Sequence, residues 1–177
     1  MKNLFIGIDF SKEKIDATVI SAIGLVEQSA RVSSEFKTTA CGYRQFLKWV
    51  EEHSNGIDMS SWLFCGENTG DYSKPLCNYL YGKGYDMWLE NAKCIKDASG
   101  LRRLKTDRAD SAMIAEYAMR NHDRALYYRP LNDSLSQLRE LFLYRHMIVR
   151  HKCSFQVRKE EKRMTMEKSP SRMLISN

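Results

Sequence analysis

The run Leu4-Phe5-Ile6-Gly7-Ile8 is apolar throughout and is closed by Asp9. Unbroken apolar character over a short run predicts a strand covered on both faces, which belongs at the centre of a sheet. An ionised carboxylate in that setting costs on the order of several kcal/mol unless a cation, a set of donors or a proton compensates it. Gly7 has no side chain, so another group can approach the backbone closely beside that carboxylate. Two readings of Asp9 stay open on this stretch alone. It ends the strand and caps the turn Phe10-Ser11-Lys12, or it holds a metal with a phosphate on it.

The next segment, Ile15 to Ile20, alternates apolar and polar residues with period two, as a half-buried antiparallel strand does. Gly24 marks a turn into a weaker third strand, Leu25 to Val32, which completes a meander. Tyr43, Phe46, Leu47 and Val50 recur at helical spacing between Cys41 and His53, and Asn55-Gly56 ends that helix. A second apolar run, Trp62-Leu63-Phe64-Cys65, also leads into a carboxylate, in Gly66-Glu67. A helix from Asp71 to Tyr81 with Pro75 near its first turn and a fifth strand from Tyr85 to Leu89 follow. Three strands, a helix, a strand, a helix and a strand predict a mixed five-stranded sheet flanked by helices, an α/β fold.

Beyond the sheet, Lys93, Lys96, Arg102, Arg103 and Lys105 make residues 91 to 105 a basic loop or short helix, and Asp107 to Arg120 is again helical. After Arg129-Pro130, Leu135, Leu138, Phe142 and Val149 trace a rough heptad seam along a long helix, interrupted by Arg145 and Lys152. The expected organisation is a domain over 1–125, a coiled-coil-like helix over 131–167 and a flexible tail over 168–177. A long helix with such a seam suggests a homo-oligomer. Four of the six net positive charges fall after residue 151, which suits either nucleic acid or a solvated face.

At 177 residues the chain is long enough for one domain with a proper core and an appendage. Its net charge of +6 allows an acidic partner, and no stretch is apolar and long enough to span a bilayer, so nucleic acid is favoured over membrane. Five cysteines without a C-x-x-C pair argue against a disulfide framework and a zinc site, and four scattered histidines argue against a histidine-based metal site. No signal-peptide pattern is visible, which fits a cytoplasmic protein.

The sequence Asp107-Arg108-Ala109-Asp110 puts two carboxylates at i and i+3 at a helix start. Alone, such a pair caps the helix and suits its dipole. Taken with Asp9 and Glu67 at the ends of two neighbouring strands, the pair makes a four-carboxylate set. Two such charges about 4 Å apart repel by about 4 kcal/mol at an effective dielectric of 20. Hard oxygen ligands of this kind select Mg²⁺ or Mn²⁺, and two ions can serve both sides of a phosphodiester. Arg102, Arg103 and Lys105 are placed to hold a nucleic-acid backbone beside them.

Gly7-Ile8-Asp9-Phe10-Ser11-Lys12 with Asp16, Glu67-x-Thr69-Gly70-x-Tyr72 and Lys105-Thr106-Asp107-x-x-Asp110 resemble, in order, the motifs of the DEDD transposases of the IS-one-ten insertion-sequence family. The resemblance implies a RuvC-like domain of RNase H fold, with Asp9, Glu67, Asp107 and Asp110 as catalytic metal-binding residues and Ser11, Lys12, Arg102, Arg103 and Lys105 near nucleic acid. It further implies DNA recombination in bacteria, guided by a bridge RNA and carried out by a multimer. Asn91-Ala92 and Ser111 depart from the family pattern, and the family's serine-bearing C-terminal domain is not represented, so no serine here takes the nucleophile's role. Two other readings compete. A RuvC-like module can bind nucleic acid without chemistry of its own. An actin-like or sugar-kinase fold also opens apolar-Gly-apolar-Asp, but wants a glycine where Phe10-Ser11-Lys12-Glu13-Lys14 has none.

Overall fold

The computed structural model describes residues 1–22, 31–68, 70–99 and 107–167, without the side chains of residues 99, 107, 108, 166 and 167. Five strands, β1 (Leu4–Phe10), β2 (Lys14–Ser21), β3 (Val32–Lys37), β4 (Trp62–Glu67) and β5 (Met87–Glu90), form one sheet of order β3-β2-β1-β4-β5. The meander β1-β2-β3 is antiparallel, and β4 and β5 are added parallel to β1. The apolar first run therefore lies in the middle of the sheet, as its composition requires.

Both faces of β1 are covered. On one, Leu4, Ile6, Ile8 and Phe10 pack with Phe64, with Phe46 and Val50 of α1 (Ala40–Glu52), and with Leu76 and Leu80 of α2 (Lys74–Gly82). On the other, Phe5, Leu63, Cys65 and Trp88 pack with Ile95 of α3 (Ala92–Ser99) and with Ile114 and Ala118 of α4 (Asp107–Asn121). Helix α1 starts where Thr39 Oγ1 accepts the Gly42 N–H at 3.1 Å, and it buries Tyr43, Phe46 and Val50, a single stripe at helical spacing. Asn55 and Gly56 take positive φ in the turn that follows.

Three elements differ from their sequence-based ranges. The third strand runs over Val32–Lys37, past the expected end at Val32, and the expected range before Arg31 lies outside the described residues. With only Val32 and Phe36 apolar, this edge strand carries a weak period-two signal. Helix α2 begins at Lys74 because Gly70–Tyr72 forms a separate 3₁₀ turn, to which Ser73 Oγ is tied by donating to the Gly70 carbonyl at 3.0 Å. Strand β5 begins at Met87 because the Gly84 and Tyr85 N–H groups are used to close α2, donating to the Tyr81 and Leu80 carbonyls. Pro75 sits in the first turn of α2, where its missing N–H costs nothing.

The chain divides into two compact units at Pro130. The second contains α5 (Asp133–Glu167), a helix of 35 residues. Leu138, Phe142, Ile148 and Phe155 on it are each more than half exposed. Leu143 and Met147, which fall on the far side of the helix from the expected seam, are about as open, so that seam accounts for part of the apolar surface only. Among the described residues no helix is long and apolar enough to cross a membrane.

Candidate active site

Cross-strand register builds the site. Asp9 of β1 lies opposite Asp16 of β2, Asp16 lies opposite Glu35 of β3, and Glu67 of β4 lies beside Glu90 of β5. The parallel pairing of Ile8 with Gly66 carries on to set Glu67 alongside Asp9. Five carboxylates, Glu35, Asp16, Asp9, Glu67 and Glu90, thus make a row straight across the sheet. Because side chains alternate along a strand, Asp9 shares a face with Phe5 and Gly7, the face that α4 covers.

Gly7 fixes the height of α4 above that face. A Cβ at this position would overlap the Ser111 carbonyl oxygen and the Ala115 nitrogen, so helix backbone rests directly on strand backbone. At the far end, the His122 ring just past α4 meets the Phe5 ring at 5.4 Å. The helix therefore runs antiparallel to β1, with its N-terminus toward the end where Asp9 lies. Asp110, half-buried in the first turn, is brought to the same end as Asp9 and Glu67, which are also half-buried. The positive end of the helix dipole faces the acidic row.

The flanks of the row are partnered. Lys14 Nζ lies 3.1 Å from the buried Asp16 carboxylate and 3.2 Å from that of Glu35. Glu90 accepts the Asn91 N–H at 2.7 Å and the Tyr117 hydroxyl at 3.2 Å. Burial first, and then the Glu90 charge, push the Tyr117 phenol up to about 12. A chain of hydroxyls ties α4 to the meander: Thr18 Oγ1 is 2.8 Å from Ser111 Oγ and 2.8 Å from Ser33 Oγ.

Of the residues singled out from sequence, Asp9, Glu67 and Asp110 share one end of one face. The Asp107 side chain and residues Arg102, Arg103 and Lys105 lie outside the described part. Ser11 is a turn residue, its hydroxyl donating to the Lys14 carbonyl at 2.8 Å, and Lys12 is exposed beside it. Among the described residues, no three histidine, cysteine or acidic side chains come together as a ready metal cage. Sequence reasoning passes over Glu90, although Met87-Trp88-Leu89-Glu90 repeats the pattern of an apolar run closed by a carboxylate. Thr18 carries no signal in the sequence, because its partner is 93 residues away.

An antiparallel meander extended by two parallel strands, with carboxylates at the ends of β1 and β4 beneath a helix, defines a domain of the RNase H-like class. Residues 6–161 match the family of DEDD transposases of the IS110 type, described as a transposase, and the chain belongs to that family. No curated protein matches the sequence. Among solved structures, RuvC of Thermus thermophilus is similar with a TM-score of 0.49 and 11% identity over 71% of this chain and 99% of that one. T. thermophilus RuvC in complex with a Holliday junction substrate gives a TM-score of 0.47 and 10% identity over the same 71% and 99%.

Proposed function

We propose that this domain is the metal-dependent DNA-processing part of a transposase, with Asp9, Glu67, Asp107 and Asp110 holding Mg²⁺ or Mn²⁺, as two ions, against a phosphodiester. The observation that supports it most is the placing of Asp9 and Glu67 side by side on the face that the start of α4 covers. The donor set is oxygen only, which suits a hard divalent ion. Bound there, such an ion supplies activation of an attacking oxygen and stabilisation of the leaving one. The protein's own part is to hold the carboxylates in register, to carry their charge on one rigid face, and to aim the strand from the basic residues Arg102, Arg103 and Lys105. Guidance by a bridge RNA, assembly into a homo-oligomer through α5 and a cytoplasmic, DNA-associated location complete the reading. They rest on family membership and on the apolar surface of α5.

Titration with Mn²⁺, followed by the loss of the free-ion resonance signal, tests the site directly. The chain is expected to bind, and Asp9→Asn and Asp110→Asn are each expected to weaken binding roughly tenfold or more while the far-ultraviolet spectrum is kept. Binding by both variants equal to that of the original chain overturns the assignment. Tight binding without any strand cleavage assigns the domain a binding role and places the chemistry elsewhere.

A further inference from the structure

Ser111 directly follows Asp110, and its side chain is turned inward, fully buried, onto β2. Its hydroxyl meets that of Thr18, also fully buried, at 2.8 Å, and Thr18 in turn meets Ser33 of β3 at the same distance. A buried hydroxyl is costly where it loses a partner, so Thr18 and Ser111 favour the arrangement in which the two meet. Next to it the helix packs through small and apolar residues, Ile114, Ala115 and Ala118, whose contacts alone change little if the helix slides along the sheet, and the buried charge of Glu116 lies a turn farther on. The close seat of α4 on Gly7 fixes its distance from the sheet, but apolar contact is non-directional and sets neither its axial position nor its rotation. Farther along the helix the Tyr117 hydroxyl on Glu90 and the buried Glu116 carboxylate on Arg31 are directional contacts, and at its start the hydroxyl chain is the one that lies a single residue away from an acidic side chain of the proposed site.

We infer that Thr18, Ser33 and Ser111 are positioning residues that lock the first turn of α4 in axial register with β1, so that Asp110 meets the row of Asp9 and Glu67 at the spacing a divalent ion requires. The inference rests on the metal-site reading above for its purpose, but the lock itself is a property of the chain without metal. Thr18→Val keeps the shape and removes the hydroxyl, leaving Ser111 and Ser33 without it. Thr18→Ser keeps the hydroxyl and gives up a methyl group. Ile114→Val lightens the packing of the same helix without touching the chain.

Two measurements decide it. In the metal-free chain, hydrogen exchange of the amides over residues 108–112 is expected to speed up in Thr18→Val relative to residues 115–121, and to be unchanged in that ratio in Thr18→Ser and Ile114→Val. Equal ratios in Thr18→Val and Ile114→Val overturn the lock, whatever the metal does. In Mn²⁺ titrations, Thr18→Val and Ser111→Ala are expected to bind roughly tenfold more weakly, with Thr18→Ser within about twofold of the original chain. If the exchange ratio shifts and Mn²⁺ affinity does not, the lock exists but does not serve the ion, and the positioning role falls. Should the original chain bind no Mn²⁺ at all, the metal-site reading fails, and the exchange ratio alone then upholds or overturns the lock.

Discussion

Gly7 is the residue on which the site depends most locally, since it lets helix backbone lie on strand backbone beside Asp9. Gly7→Ala is expected to destabilise the chain by about 1–3 kcal/mol, because neither Ser111 nor Ala115 can yield its main-chain atoms without moving α4. Gly82→Ala is the control: no atom lies within 4 Å of its added methyl, so its unfolding midpoint in urea should stay or rise slightly. Equal losses at both positions would mean that α4 does not rest on the strand as described. Tyr117 gives a second prediction at this scale. Its phenol is held up to about 12 by burial and by the Glu90 carboxylate, so the folded chain favours the protonated form. The corresponding stability is fully present below the ordinary value of 10.0 and is lost as the pH rises through the folded value. The phenolate absorbance removed by Tyr117→Phe should therefore titrate near 12, and a midpoint near 10 would refute both the burial of the ring and the Glu90 contact.

Among the elements, α5 is the one whose surface is out of keeping with a solvated helix. Its apolar side chains run around most of its circumference, with Phe142 on one side, Ile148 and Phe155 on a second, and Leu143 and Met147 on a third. A helix that is apolar on most sides is stable when it is covered on most sides. Phe142→Glu and Ile148→Glu are expected to lower the molecular mass seen by sedimentation, and an unchanged mass would end the case for self-association through this helix. The heptad seam is legible in the sequence because Leu135, Leu138, Phe142 and Val149 fall at coiled-coil spacing; the breadth of the apolar surface is not, because a repeat search reads one stripe at a time. The sheet divides in the same way. Strands β1 and β4 declare themselves as apolar runs ended by carboxylates, and their adjacency follows from the order of elements. The position of β3, the place of Glu90 in the acidic row and the Ser33-Thr18-Ser111 chain depend instead on cross-strand register. The local sequence does not reveal which residues end up opposite one another until the turns are known.

For the whole molecule, the different charge carried by each of its two units is the feature that bears on nucleic acid. A row of carboxylates crosses the sheet, while the last part of α5 carries Arg158, Lys159, Lys162 and Arg163 against Glu160 and Glu161. Phosphates would be repelled by the acidic row unless cations are present and attracted by the helix end, so the affinity for DNA should depend on both divalent ions and salt. If the helix end grips phosphates, replacing Arg158, Lys159 and Lys162 by Gln abolishes the counterion release that accompanies each phosphate they neutralise. The slope of log affinity against log salt should then become shallower by about 0.9 for every such phosphate on duplex DNA. The same replacement leaves the Mn²⁺ affinity unchanged, because none of the three lies in the acidic row. A salt slope equal to that of the original chain would show that these three cations face solvent and that duplex affinity comes from elsewhere in the chain.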